Sequence, residues 1–386
     1  NLVGNDSNVG SSIKLGNASG IVTATTFSGS GANLTNIPDS AISTLTASKL
    51  SGALPAISGA SLTGVTAVGL STTASLNTSG IVTAKAFVSD TSLSHRNMII
   101  NGAMNVAQRS TSKAITGGGY HTLDRFATVA NSSMTYAVTM SQENDNPDGN
   151  GKSVKLLTTT AKTPSGSENY ILRYKGEEQD ISGAGLGTSS CKQLTISFSV
   201  KTNKTGTHGF QIYLYNNSPN MTVAYTVSSA NTWERKTITL PTYTTSYTHG
   251  ADNAQGFMID WNLSSGPDDI MSPYNWATGS TAARGVTGQV NMLDTVGNYF
   301  QLTNVQLEIG DTATSFEHRS FGEELFRCQR YYETCHSYGT AFGTNTSEGK
   351  YLQNGTTNGA GNQQVTIYFR TTKRANPTVT GHYNGT

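Results

Sequence analysis

The residues best placed for chemistry in this sequence are aromatic. Phe210, Ile212 and Leu214 alternate with Gln211, Tyr213 and Tyr215, so the two tyrosines fall on the outward side of a strand that buries its other face. Tyr274 and Trp276 lie in Gly266-Pro-Asp-Asp-Ile-Met-Ser-Pro-Tyr-Asn-Trp276, a long loop of the kind that often carries binding. A sugar offers an apolar C–H face to a flat ring, while its hydroxyls suit Asn, Gln and Asp side chains. Tyr213, Tyr215, Tyr274 and Trp276 are therefore the candidate carbohydrate-binding residues. Trp276 has a second reading, as a plug in the fold or in an interface between subunits. Trp233 and Trp261 read as core.

Catalytic signatures fail on inspection. Gly151-Lys-Ser153 ends like a phosphate-binding loop, but the glycine required five residues earlier is Asn146. No His-Glu-x-x-His or Gly-x-Ser-x-Gly pattern occurs. His318 and His336 read as surface or helix-flanking groups among seven scattered histidines. Asp145, Asp148, Asp268 and Asp269 sit in loops rich in Gly, Pro and Asn. They admit three readings: solvation of the loops, a structural calcium site, or the two carboxylates of a glycosidase. A calcium-binding-hand loop starting at Asp145 lacks its distal glutamate, because that position is Leu156. Cys191, Cys328 and Cys335 are too few and too odd in number for a disulfide framework, and read as small buried hydrophobes. No metal site or cofactor is expected, and the chain reads as non-enzymatic.

The elements that must position the aromatics are strands. Charged residues are only 13% of the 386, the net charge is +1, and glycine is frequent at 41, so turns and solvated sheet faces are favoured over an electrostatic partner. A general nucleic-acid binder would need a basic surface, and no apolar run is long enough for membrane insertion. Residues 1–94 carry a repeat: Asn17-Ala-Ser-Gly-Ile-Val-Thr-Ala-Thr-Thr-Phe27 returns as Asn77-Thr-Ser-Gly-Ile-Val-Thr-Ala-Lys-Ala-Phe87. So little apolar area cannot offset chain entropy in one copy, which points to several copies winding together into a fibrous shaft.

Residues 95–320 read as an antiparallel sandwich. Leu194, Ile196, Phe198 and Val200 mark one half-buried strand; Met221, Val223, Tyr225 and Val227, and Phe257, Ile259, Trp261 and Leu263, mark others. The apolar phase slips between Leu302 and Val305, as a bulge would produce, and Val305, Leu307 and Phe316 are expected to close the sandwich. A helix is expected over 322–334 within a linker of 321–338, with Glu323 paired to Arg327 and with Leu325, Cys328 and Tyr332 on its apolar face. Residues 339–386 open a distal β domain, with Val365, Ile367 and Phe369 alternating.

Several segments resemble phage tail-fibre proteins. They are Asn97-Met-Ile-Ile-Asn-Gly-Ala-Met-Asn-Val-Ala-Gln-Arg109, Tyr120-His-Thr-Leu-Asp-Arg-Phe126, Leu194-Thr-Ile-Ser-Phe-Ser-Val-Lys201 and Asn231-Thr-Trp-Glu-Arg-Lys-Thr-Ile-Thr-Leu240. The most specific is Leu302-Thr-Asn-Val-Gln-Leu-Glu-Ile-Gly310, followed by Ala313-Thr-Ser-Phe-Glu-His-Arg319 and then Glu323-Glu-Leu through Cys328-Gln-Arg-Tyr-Tyr332. The Ser-Gly-Ile-Val-Thr-Ala repeats look like shaft repeats in fibres of phages that infect cyanobacteria. The segment from Arg370 to Pro377-Thr-Val-Thr380 looks like the start of a distal domain.

The resemblance implies a homotrimeric virion protein, assembled in the host cytoplasm. Its expected fold is mostly β: a fibrous shaft, a jelly-roll-like body similar to carbohydrate-binding modules, one helix and a distal β domain that is incomplete here. Its implied partners are other virion tail proteins and host-cell surface polysaccharide or lipopolysaccharide. A fibre on the capsid or collar, or a spacer without receptor binding, would use the same parts. The polar, low-charge loops suit a neutral sugar.

Overall fold

The structure is a computed structural model and describes residues 94–131, 137–215, 219–245, 250, 252–277, 284–340, 344 and 368–381. The repeats of the expected shaft, and Val365 and Ile367 of the expected distal domain, lie outside the described residues.

Fourteen strands form among the described residues. In chain order these are β1 (Ser112–Ile115), β2 (Phe126–Ala130), β3 (Ala137–Glu143), β4 (Ser153–Thr160), β5 (Asn169–Glu177), β6 (Leu194–Thr202) and β7 (Gly206–Leu214). There follow β8 (Asn220–Val227), β9 (Glu234–Leu240), β10 (Gln255–Ser265), β11 (Ile270–Met271), β12 (Tyr274–Ala277), β13 (Gly285–Val286) and β14 (Tyr299–Ile309). The two α-helices among the described residues are short: α1 (Glu178–Ile181) and α2 (Phe321–Gln329). Neither is long or apolar enough to cross a membrane.

Two antiparallel six-stranded sheets carry the fold, in the orders β1-β3-β4-β14-β6-β9 and β12-β8-β7-β10-β5-β2. The chain passes from one sheet to the other between β4 and β5, β5 and β6, and β6 and β7. It crosses again around β9, so neighbours in a sheet are distant in sequence. That crossing is what makes the sandwich jelly-roll-like. The alternating apolar sets meet between the sheets. Ile196, Phe198, Val200, Phe210, Ile212, Leu214, Phe257 and Ile259 are all fully buried. Trp261 sits among them, with its ring 5.7 Å from Phe198, 5.9 Å from Phe210 and 6.2 Å from Phe126. Gly176 in β5 is required by this packing, because a Cβ there would lie 2.1 Å from the Phe257 ring.

The expected bulge is present. The β14–β6 register shifts between Thr303 and Gln306, and Asn304 takes a positive φ of 51°, which lets both Leu302 and Val305 point inward. The expectation of a half-buried β6 is corrected. Thr195, Ser197 and Ser199, on its outer side, are buried too, because the chain after β14 folds back over them. Thr195 Oγ1 donates to the Gly310 carbonyl at 2.8 Å, and Arg235 bridges Ser197 Oγ and the Thr314 carbonyl. Phe316 in this returning segment is half-buried, edge-on to His318 at 4.9 Å, and is not part of the sandwich core.

The helix begins as expected but is shorter. Ser320 Oγ caps it by accepting from the Glu323 N–H at 3.2 Å, and Arg327 pairs with Glu323 at 2.9 Å. It ends at Gln329 rather than 334, where the Tyr331 N–H donates to the carbonyl of Cys328 only three residues back and tightens the last turn. Leu325, Cys328 and Tyr331 pack against Ile100 and Val106, while Tyr332 leaves that face. Of the cysteines only Cys328 is buried; Cys191 is half-buried against the core and Cys335 is exposed. Residues 370–374 lie against the end of α2: the Arg374 N–H donates to the Arg330 carbonyl and Lys373 pairs with Glu333.

The segments that open and close the sandwich lock together in a clasp. The Asn97 side chain donates to the Val305 carbonyl and accepts from the Ile99 and Leu307 N–H groups. Asn101, with a φ of 64°, donates to the carbonyls of Val106 and Asp124 and accepts from the Val106 N–H. Arg319 donates to the carbonyls of Asn97 and Ile99 and pairs with Glu324 at 3.0 Å, and Glu324 also accepts from the Asn101 N–H. Gly102 is needed for this approach, since a Cβ there would lie 2.2 Å from the Val305 carbonyl oxygen.

Candidate functional site

The outer face of the second sheet carries the aromatic pair. In β7 the period of two sends Phe210, Ile212 and Leu214 inward, and Tyr213 outward, with Tyr215 just past the strand end. Their rings meet edge to face, with centroids 6.3 Å apart and planes at 67°. Tyr215 is 46% exposed and Tyr213 half-buried. The backbone holds them firmly: Tyr213 is in register with Asn220 and Met258, and the Tyr215 N–H donates to the Gly256 carbonyl at 2.8 Å. Such a pair offers an apolar wall beside polar groups, which is what a sugar ring requires.

The other two candidates are placed differently. Trp276 is half-buried, its indole N–H donates to the Pro241 carbonyl at 2.7 Å, and its ring packs 5.5 Å from Tyr243. That is the plug arrangement. The Tyr274 backbone, in β12, pairs with Thr222 of β8, and its side chain lies outside the described part of the structure. Trp233 is corrected from core to surface. It stands just before edge strand β9, half-buried, and donates to Asp145 Oδ1 at 3.0 Å with the Lys201 ammonium 5.8 Å from its ring.

Three of the four loop aspartates, Asp145, Asp148 and Asp269, are already engaged. Burial opposes ionisation of Asp145, but hydrogen bonds from Lys201, Trp233 and Gln301 hold its carboxyl below the usual range. Asp148 accepts from Asn304 at 3.0 Å. Asp269 accepts from Ser265 at 2.9 Å, and burial pushes its pKa up. Among the described residues, no three His, Cys, Asp or Glu side chains gather as a metal site would require.

A second feature was not read from the sequence. A cavity of about 350 Å³ opens where β5 and the start of β2 meet the chain after α2, lined by residues that include Arg109, Tyr120, Asp124, Arg125, Lys175 and Glu177. Arg109 lies 3.6 Å over the Tyr332 ring and pairs with Asp124 at 2.9 Å. Arg125, at a positive φ of 73°, lies 3.4 Å over Tyr331 and 5.1 Å from Tyr174. Burial raises the Asp124 carboxyl to about 6, with Arg109 opposing. Burial would also raise Glu177, but the paired hydrogen bonds from Arg330 and the Tyr331 hydroxyl outweigh it and hold its pKa down. The only sequence signal was that Arg109, Asp124-Arg125 and Tyr331-Tyr332 all lie in the segments that resemble tail fibres.

No family model matches the chain, and no curated protein matches it in sequence. Solved structures do match the body. One is the enzymatically active domain of a tailspike protein of bacteriophage CBA120, 14% identical, with a TM-score of 0.30, covering 55% of this chain and 21% of that one. The match therefore spans about a fifth of the tailspike structure. Another is a family 11 carbohydrate-binding module of a cellulosomal cellulase of Clostridium thermocellum, 14% identical, with a TM-score of 0.27, covering 53% and 99%. A third, a putative sugar-binding protein of Bacteroides thetaiotaomicron, is 9% identical with a TM-score of 0.32, covering 55% and 100%.

Proposed function

We propose that this chain is part of a homotrimeric phage tail fibre, a virion protein without catalysis, whose β-sandwich adsorbs to host-cell surface glycan. The observation that carries the binding reading is the Tyr213–Tyr215 pair, edge to face and open on the outer side of the second sheet. The tail-fibre reading rests on the sequence resemblance, whose opening and closing segments supply the residues of the clasp. The loop aspartates support binding over hydrolysis, since Asp145 and Asp269 are committed to neighbouring side chains.

The test is a glycan array probed with the intact protein and with a Tyr213→Ser, Tyr215→Ser double variant. The intact protein should mark a restricted set of oligosaccharides. The double variant, unchanged in its unfolding midpoint, should lose at least about tenfold in affinity, because one stacked ring contributes on the order of 1 kcal/mol. Unchanged binding would remove this face as the site. An intact protein that binds no glycan would leave the spacer reading standing.

A further inference from the structure

The tyrosine face and the cavity share one surface. The β7–β10 and β10–β5 registers set Tyr213, Met258 and Lys175 side by side across the outer face of the second sheet. Neighbouring strands lie ~4.8 Å apart, so the Tyr213 and Lys175 backbones are about 10 Å apart, within the reach of one short oligosaccharide. Lys175 is also part of the cavity wall.

The hydrogen-bonding capacity of that wall is lopsided. Four cations line it, Arg109, Arg125, Lys175 and Arg374, against the two carboxylates of Asp124 and Glu177. Both carboxylates are already used. Asp124 accepts from Arg109 on one oxygen and from the Gln108 N–H on the other. Glu177 accepts twice from Arg330, and from Tyr331 and Gln179. What remains unpaired are donors. The Lys175 ammonium has no hydrogen-bond or ion-pair partner among the described residues. Arg125 Nε and Gln255 Nε2 are buried without partners. Partial burial, with Arg173, Arg374 and Arg125 outweighing the opposing Asp260, pushes the Lys175 pKa down. A ligand that satisfied these donors would bring acceptor oxygens, with negative charge beside the Lys175 ammonium.

We infer that the cavity takes the carboxylate or sulfate group of an acidic oligosaccharide whose neighbouring sugar lies on the Tyr213–Tyr215 face. The inference rests on the glycan-binding reading and narrows it to a charged ligand, where the low overall charge of the sequence suggested a neutral one.

Calorimetry on the full chain would use three probes: trigalacturonate, a sulfated galactan oligosaccharide and neutral galactotriose. At least one charged probe should bind about tenfold or more tightly than galactotriose, with an advantage that shrinks as salt is raised. The stronger of the two charged probes identifies carboxylate or sulfate as the group taken. Lys175→Met, and separately Arg374→Gln, should remove most of that advantage and leave galactotriose binding as it was. Equal binding of charged and neutral probes, or an advantage that survives both substitutions, would overturn the inference while leaving the tyrosine face intact. Galactotriose binding that persists in the Tyr213→Ser, Tyr215→Ser variant would instead remove the face on which the inference rests.

Discussion

His208 shows how far a single buried group can set the pH response. It is 1% exposed, stacked 5.5 Å from Tyr225, and one ring nitrogen meets the Lys204 carbonyl at 3.2 Å. Burial lowers its pKa to about 4. The unfolded chain therefore takes up a proton near pH 6.5 that the folded chain refuses until about pH 4. Stability from this residue is full above pH 6.5 and is lost as pH falls through that window, by up to about 3 kcal/mol. Urea midpoints between pH 7 and 4 should fall more steeply for the native chain than for His208→Gln, and parallel curves would contradict this. Asp124 works in the opposite sense, since its raised pKa favours the folded state as pH falls from about 6. The comparison with the variant separates the two. Neither residue announced itself in the sequence, where a lone His or Asp gives no clue to its burial. The outward pair Tyr213 and Tyr215 was legible because a period of two assigns faces without any knowledge of partners.

At the scale of elements, the strands were readable and the clasp was not. The alternation in β6, β7, β8 and β10 fixed their inward faces, and the phase slip in β14 located its bulge. The clasp joins residues 97–102 to residues 305–324, and no local pattern links positions more than 200 apart. Its energetics can be tested directly. Asn101→Ala removes three hydrogen bonds and places Ala at a positive φ, so it should cost roughly 2–4 kcal/mol in denaturant unfolding. Glu324→Ala should cost up to about 3–5 kcal/mol, because the Arg319 side chain, only 6% exposed, would keep as ion-pair partner only Glu317, at a longer 3.5 Å. By contrast Phe316→Ala should shift the midpoint less than Leu307→Ala, since Phe316 packs on His318 and Leu307 is fully buried. An equal loss for both would restore Phe316 to the core.

At the scale of the molecule, the proposed assembly rests on residues 1–94, where small side chains dominate and single copies have too little to bury. Sedimentation equilibrium should give a mass three times that of the chain, and a stable monomer over the same concentration range would count against the fibre. The cavity, too, was illegible until the whole body was assembled. Arg109, Arg125, Lys175, Tyr331 and Arg374 come from five separate stretches, and only the return of the chain after α2 brings them to one wall.

The clasp also has a mechanical side. Because Arg319 holds the carbonyls of Asn97 and Ile99, the body begins and ends at one point, although those residues are up to 222 positions apart. Tension between the two ends loads this short run of hydrogen bonds first, and the sandwich hangs beside the path of the force as a closed loop. Pulled from handles at 94 and 320, the chain should hold at its starting length until the clasp gives way. It should then lengthen by roughly 730–800 Å as the loop between them unravels. Glu324→Ala would lower the force of that event far more than any change of equal thermodynamic cost in the sandwich interior.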